Sequence, residues 1–116
     1  MKKGVGEELL LESIIFVLTV VFIVSFWNKN WLIALTLLAL YIIGNMFWHK
    51  KYDYVYYIAG FVIGPTAEII AASFGVWTYA NPSILNIPIW LPFAWGLAAI
   101  MILRIAQTVI TVVENR

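Results

Sequence analysis

One carboxylate lies inside a long apolar run and is the first candidate for chemistry. Residues 64–82 read GPTAEIIAASFGVWTYANP, and Glu68 follows Pro65 by less than one helical turn. An acidic side chain within a membrane segment is costly, so it is usually paired, protonated or functional. The same helix face carries Gly60, Gly64 and Glu68, which recur every four residues. We therefore expect Glu68 to point into a helix bundle, where it could donate or exchange a proton.

The helix around Glu68 has features of both a binding site and a packing surface. Gly60 and Gly64 form a GxxxG pair, which lets a second backbone approach closely. Pro65 cannot donate a hydrogen bond to the carbonyl of Phe61, so the helix is locally opened, as in the binding sites of transporters. The alternative for Glu68 is a purely structural role in a buried hydrogen bond or ion pair.

Arg104 is the second charge within an apolar stretch. Its expected partner is Glu68 or, near the other end of the bundle, Glu12. The alternative is that its long side chain reaches towards the membrane surface. Polar residues on neighbouring positions and helices extend this feature into a predicted polar cluster: Glu12, Asn45, Arg104, Gln107, Thr108 and Thr111.

A proline-rich, uncharged segment follows the Glu68 helix. Residues 75–96 read GVWTYANPSILNIPIWLPFAWG, and three prolines impose turn or extended geometry on it. Its polar side chains are neutral: Thr78, Tyr79, Asn81, Ser83 and Asn86. Such a segment suits an apolar ligand that bears hydroxyl groups better than it suits a phosphate. The alternative is a loop that only rests on the bilayer surface.

The elements that position these residues follow from composition. The 116 residues are 64% hydrophobic and only 11% charged, whereas a soluble domain carries about 25% charged residues. Four apolar stretches are long enough to cross a membrane, at about 9–27, 31–48, 54–77 and 92–113, with a loop at 78–91. Because backbone groups must bond internally in lipid, we predict an all-α integral membrane protein, with residues 1–116 forming one four-helix bundle.

The distribution of basic residues predicts the orientation. Four helices place the N-terminus, the 49–53 segment and the C-terminus on one side, and that side holds five of the seven basic residues, Lys2, Lys3, Lys50, Lys51 and Arg116. Positively charged segments face the cytoplasm. Both termini are therefore predicted to be cytoplasmic, in a multi-pass protein of the cell (inner or plasma) membrane. His49, beside two lysines, is interpreted as an interfacial residue.

Composition also excludes several classes of function. The absence of cysteine excludes disulfides, iron–sulfur clusters and thiolate metal sites, and a single histidine excludes a multi-histidine metal or haem site within one protomer. We predict no metal and no cofactor. A net charge of +1 without a basic stripe gives no reason to expect nucleic acid as a partner.

The segment from Gly64 to Gly96 resembles part of a known membrane family. The stretches GPTAEIIAASFGVWTY and NIPIWLPFAWG are similar to the G-x-x-x-E, aromatic-Tyr and P-x-x-x-P-x-x-W pattern of the carotenoid 1,2-hydratase-like proteins. Those proteins add water across a terminal isoprenoid double bond. The matching positions are Gly64, Glu68, Gly75, Tyr79, Pro88, Pro92 and Trp95. The resemblance covers about a quarter of this chain, which is about half the length typical of that family.

The resemblance implies a specific chemistry. Glu68 would protonate the alkene, Tyr79 or Asn81 would hold the attacking water, and aromatic faces would stabilise the cation. The residues that would line such a substrate site are Gly64, Trp77, Trp90 and Trp95. The predicted partner is a membrane lipid or an apolar small molecule.

Two other functions remain open from the sequence. A small proton-coupled transporter would use Glu68 as its exchange site, and a scaffold or assembly protein would use the GxxxG face to bind a partner. Because four short helices bury little surface by themselves, we expect a homo-oligomer in each case.

Overall fold

The computed structural model describes residues 4–48 and 51–114 as an all-helical protein. Its four α-helices are α1 (Val5–Ser25), α2 (Asn30–Phe47), α3 (Asp53–Ser73) and α4 (Leu91–Glu114). Each helix is long and apolar enough to span a membrane. The prediction of an all-α protein with four such helices is confirmed. Four of the basic residues that support the orientation prediction lie outside the described part, Lys2, Lys3, Lys50 and Arg116, and so does His49, the predicted interfacial residue.

Helix α3 ends at Ser73, before the apolar run does. Gly75 has a φ of 77°, and the amide of Val76 donates to the carbonyl of Ala71 at 3.0 Å. These are the features of a Schellman C-cap, in which a left-handed glycine closes the last turn. The chain therefore leaves the helix four residues earlier than the predicted end near residue 77, and Trp77 lies in the following loop.

The other helix ends are close to their predicted positions. At the start of α1, the Glu7 carboxylate accepts a hydrogen bond from the amide of Gly4 at 3.3 Å and caps the first turn, so this helix begins earlier than the apolar run. Helix α4 begins at Leu91, with Pro92 in its first turn, where proline is tolerated because no intrahelical donor is needed there.

The buried core surrounds α4, which packs against the other three helices. Leu97, Ile100 and Met101 of α4 contact the core residues of its neighbours, Ile33, Leu37 and Tyr57. Tyr57 stacks on Tyr41 with ring centroids 3.8 Å apart. Helix α4 therefore fixes the positions of the residues that α1, α2 and α3 present to the interior.

Helices α3 and α4 approach each other through glycines. A Cβ atom built on Gly60 would lie 2.7 Å from the Cβ of Ala99, and one on Gly64 would overlap the indole of Trp95. On the opposite side of the contact, a Cβ on Gly96 would lie 2.6 Å from the Tyr57 ring. The GxxxG pair therefore receives α4, and close packing of this kind is typical of membrane helices.

Neighbouring helices run in opposite directions, so the bundle has two distinct ends. The loop end contains residues 26–29 and 74–90, and the termini end contains Gly4, Trp48, residues 51–52 and Glu114. Large apolar side chains cover the outside, and some are almost fully exposed, such as Phe74 at 83% and Phe47 at 80%. An exterior of this kind is suited to lipid.

Candidate functional site

Glu68 is held by two hydrogen-bond donors at the loop end of the bundle. The hydroxyl of Tyr79 donates to one carboxylate oxygen, and the indole Nε1 of Trp95 donates to the other at 2.7 Å. The carboxylate is half-buried and acts as an acceptor towards both neighbours. Each oxygen can accept further hydrogen bonds, because a carboxylate has about four acceptor positions.

Three separate elements converge on this carboxylate. Glu68 lies in the last third of α3, Tyr79 comes from the loop after α3, and Trp95 lies in the second turn of α4. Gly64, one turn before Glu68, leaves the space that the Trp95 indole occupies. The small residue and the aromatic residue are therefore complementary, and the Glu68–Tyr79–Trp95 centre depends on that fit.

The loop that carries Tyr79 has defined local structure. The backbone pairs Ile84 with Ile87 in a tight turn, and Leu85 and Asn86 take φ values of 50° and 70° to close it. The side chain of Asn30, at the start of α2, donates to the carbonyl of Asn81 at 2.7 Å and to the hydroxyl of Ser83 at 2.6 Å. The loop is thereby fastened to a second helix.

An open cleft lies beside this loop. It shares Tyr79 with the Glu68 centre and is lined mainly by aromatic and small side chains: Trp27, Asn30, Tyr79, Ala80, Asn81, Pro88 and Trp90. Two buried atoms of its lining, Oδ1 of Asn30 and Nε1 of Trp90, have no hydrogen-bond partner among the described residues. This loop-end cleft therefore combines apolar walls with one free acceptor and one free donor.

The environment of Tyr79 keeps its phenol protonated. Burial raises the pKa of Tyr79 above its usual value of about 10, and the hydrogen bond to Glu68 raises it further. Tyr79 therefore remains a donor to Glu68 throughout the physiological pH range.

Arg104 is bound at the opposite end of the molecule. Its Nη2 donates to the carboxylate of Asp53 and to the backbone carbonyl of Trp48, and its guanidinium carbon lies 4.3 Å from the centre of the Trp48 ring. Arg104 and Asp53 are 3% and 4% exposed. Sequence reasoning missed Asp53, which the predicted boundaries placed in the 49–53 segment between the second and third helices. Glu68, one of the two expected partners, lies with Tyr79 and Trp95 instead.

The other members of the predicted polar cluster differ in their burial and in their partners. Glu12 is fully buried and accepts a hydrogen bond from Thr108 at 3.1 Å, and the Thr108 hydroxyl also lies 2.9 Å from the carbonyl of Arg104. Asn45 lines a cleft near Arg104, whereas Gln107 is exposed. The sequence did contain a signal for the Asp53–Arg104 ion pair. Asp53 is the first residue of α3, and because α3 and α4 are antiparallel, the start of α3 lies at the termini end, on the side of Arg104.

The predicted substrate-site residues divide into three groups. The first, Gly64, Glu68, Tyr79 and Trp95, forms one centre. Asn81 and Trp90 line the adjoining loop-end cleft, and Trp77 is exposed on the loop. Within residues 4–48 and 51–114, no group of three or more acidic or histidine side chains is placed to hold a metal ion.

Comparison with known proteins adds no relative: no protein-family model, curated protein or solved structure matches this chain.

Proposed function

We propose that the protein is a multi-pass membrane protein that binds a lipid-like apolar molecule at its loop end, with Glu68 as the polar anchor. The observation that carries this proposal is the half-buried carboxylate held between Tyr79 and Trp95, next to an aromatic cleft. A structural carboxylate would be satisfied by fully buried donors. This one is partly accessible and retains acceptor capacity.

The chemistry of the cleft defines the ligand class. Its walls suit an isoprenoid or another hydrocarbon, and ligand sites commonly combine apolar walls with a few polar groups that fix orientation. Oδ1 of Asn30 would accept a hydrogen bond from the ligand, and Nε1 of Trp90 would donate one. Glu68 would act on the ligand through Tyr79, the residue that it shares with the cleft. A hydroxyl group both donates and accepts, so we propose an apolar ligand that bears a hydroxyl.

A catalytic step at the same centre is the extension of this proposal. If the ligand is an alkene, Glu68 is the group that would deliver a proton to carbon, and Tyr79 is the hydroxyl between Glu68 and the cleft. The resulting cation would be attacked by a water held by Asn81 in the cleft lining, and the proton lost from that water would return to the Glu68 carboxylate through the Tyr79 hydroxyl. This step is the one implied by the resemblance to carotenoid hydratases.

The orientation proposed with this function has the loop end outside the cell and both termini in the cytoplasm. The support is the placement of Lys51 at the termini end, together with the basic residues of both termini. Reporter fusions at the C-terminus test it, since an external reporter would reverse the orientation.

The experiment that tests the binding function is mass spectrometry of apolar extracts from the purified protein. We expect a recurrent hydroxylated isoprenoid-like compound in the wild type and a reduced amount in Glu68→Gln. The matched control is Glu7→Gln, which removes an exposed carboxylate at the start of α1. Gel filtration of all three proteins checks that they remain folded.

Two outcomes would overturn the proposal. Bulk phospholipid alone in all three samples would refute lipid-like binding. Proton-coupled flux in vesicles that is lost in Glu68→Gln, without a retained ligand, would assign Glu68 to transport.

A further inference from the structure

We propose that the protein has a second ligand site, at the termini end, which binds a neutral amphiphile through a carbonyl oxygen held by Arg104. This site does not depend on the function proposed for Glu68. It occupies an open cleft between α1 and α2, with α4 as its floor.

The walls of this termini-end cleft are mainly apolar. Helix α1 contributes Ile15, α2 contributes Leu40 and Gly44, and α4 contributes Leu97 and Met101, while Thr19, Tyr41 and Asn45 add polar side chains to the lining. Gly44 leaves open space, because a Cβ atom built on it meets no other atom within 4 Å. The cleft is therefore open at Gly44, next to walls that suit a hydrocarbon chain.

The polar end of the cleft is a buried guanidinium with unused donors. Arg104 is 3% exposed, and only its Nη2 donates to protein groups, those of Asp53 and Trp48. Its Nε and Nη1 are buried and have no hydrogen-bond partner among the described residues. A buried charged donor without an acceptor is costly, so an oxygen atom of a bound molecule would be stabilised here.

The charges around Arg104 decide the type of head group. Asp53 already neutralises the guanidinium of Arg104. An additional anion would face the Asp53 carboxylate without a second cation to balance it, and like charges in a low-dielectric interior repel strongly. A neutral carbonyl oxygen accepts from Nε or Nη1 without adding charge.

Three matched ligands test this assignment on the wild-type protein. They are a decyl-substituted benzoquinone, decylbenzene, which lacks the carbonyl oxygens, and decanoate, which is an anion. The protein is embedded in phosphatidylcholine nanodiscs, and binding is measured by native mass spectrometry. We expect one bound quinone per chain, with decylbenzene and decanoate each weaker by about tenfold or more, since a hydrogen bond from a charged donor is lost or opposed.

A variant that fills the cleft locates the site. Gly44→Leu places a side chain in the open space of the lining, leaves the residues Arg104 and Asp53 themselves unchanged, and favours the helix. We expect it to abolish quinone binding. The matched control is Gly6→Leu, in α1, where an added Cβ also meets nothing within 4 Å and the residue is exposed; it should bind as the wild type does.

The proposal fails on any of three results. Equal binding of the quinone and decylbenzene would show that Arg104 is not the anchor. Preferred binding of decanoate would show that the head group is anionic. Undiminished quinone binding by Gly44→Leu would place the ligand outside the termini-end cleft. If that variant does not fold, the comparison of the three ligands on the wild-type protein still tests whether Arg104 holds a neutral carbonyl oxygen.

Discussion

Two glycines of this protein should respond to the same substitution with opposite signs. Gly64 in α3 faces the indole of Trp95, whereas Gly44 in α2 faces open space. We expect Gly64→Ala to destabilise the protein and to release Trp95 from Glu68, and we expect Gly44→Ala to stabilise it. The pair separates the packing of the Glu68 centre from the general effect of replacing glycine in a helix.

The magnitudes follow from three contributions. Replacing glycine by alanine in a helix interior stabilises by up to about 1 kcal/mol. At Gly64 this gain is opposed by overpacking, because the new Cβ would lie 2.7 Å from Cε2 of Trp95 and closer still to other ring atoms; overpacking costs about 1–3 kcal/mol. The indole must move, so its hydrogen bond to the Glu68 carboxylate is lost, at about 1.5–3 kcal/mol. The net loss is about 1.5–5 kcal/mol.

The assay is reversible unfolding in mixed micelles, followed by tryptophan fluorescence, with the free energy of unfolding compared among the wild type and the two variants. Gly44→Ala should raise that free energy by up to about 1 kcal/mol. Equal changes in the free energy of unfolding of the two variants, or a Gly64→Ala variant more stable than the wild type, would refute the close contact between Gly64 and Trp95. A second readout is the ligand content of Gly64→Ala, which should fall as in Glu68→Gln.

Three further predictions concern other contacts. Asp53→Asn leaves the buried charge of Arg104 without its partner and should lower the free energy of unfolding by about 3–5 kcal/mol. The double variant Asp53→Asn/Arg104→Gln removes both charges and should lower it by less than Asp53→Asn alone. The same unfolding assay tests both. Because the folded-state pKa of Tyr79 is raised, the folded protein holds the phenolic proton more tightly; stability from this group should be constant below about pH 10 and fall above it. Alkaline unfolding curves of the wild type and Tyr79→Phe test this, and identical slopes would contradict it. Asn30→Leu removes the two hydrogen bonds that the Asn30 side chain donates to the loop, so amide hydrogen exchange at residues 81–87 should become faster. Unchanged exchange rates would show that the loop is ordered without these two hydrogen bonds.

The helices were predictable because their cause is local. Four apolar stretches of sufficient length specify spanning helices, and the four-residue spacing of Gly60, Gly64 and Glu68 correctly placed a close helix contact beside the carboxylate. The end of α3 was harder to predict from the sequence. Val76 and Trp77 continue the apolar run, so hydropathy extends the helix, while the left-handed turn at Gly75 stops it.

The partners of the charged residues could not be obtained from spacing within one helix. Asp53 precedes Arg104 by 51 residues, and their ion pair depends on how α3 and α4 are packed. The same holds for Glu68 and Trp95, 27 residues apart. The estimated positions of the residues along their helices left several acidic side chains within reach of Arg104. The register of α3 against α4, which the sequence does not specify, selects Asp53.

The two polar sites share α4 and are nevertheless separate. Trp95 and Arg104 are nine residues apart on that helix, which corresponds to about 14 Å along its axis. Groups farther apart than about 7–10 Å that share no partner contribute additively to stability. The effects of Glu68→Gln and of the Asp53→Asn/Arg104→Gln pair on unfolding free energy should therefore add within about 0.5 kcal/mol. A larger coupling would mean that α4 transmits a change from one site to the other, and the loop-end and termini-end clefts would then have to be treated as two parts of one binding system.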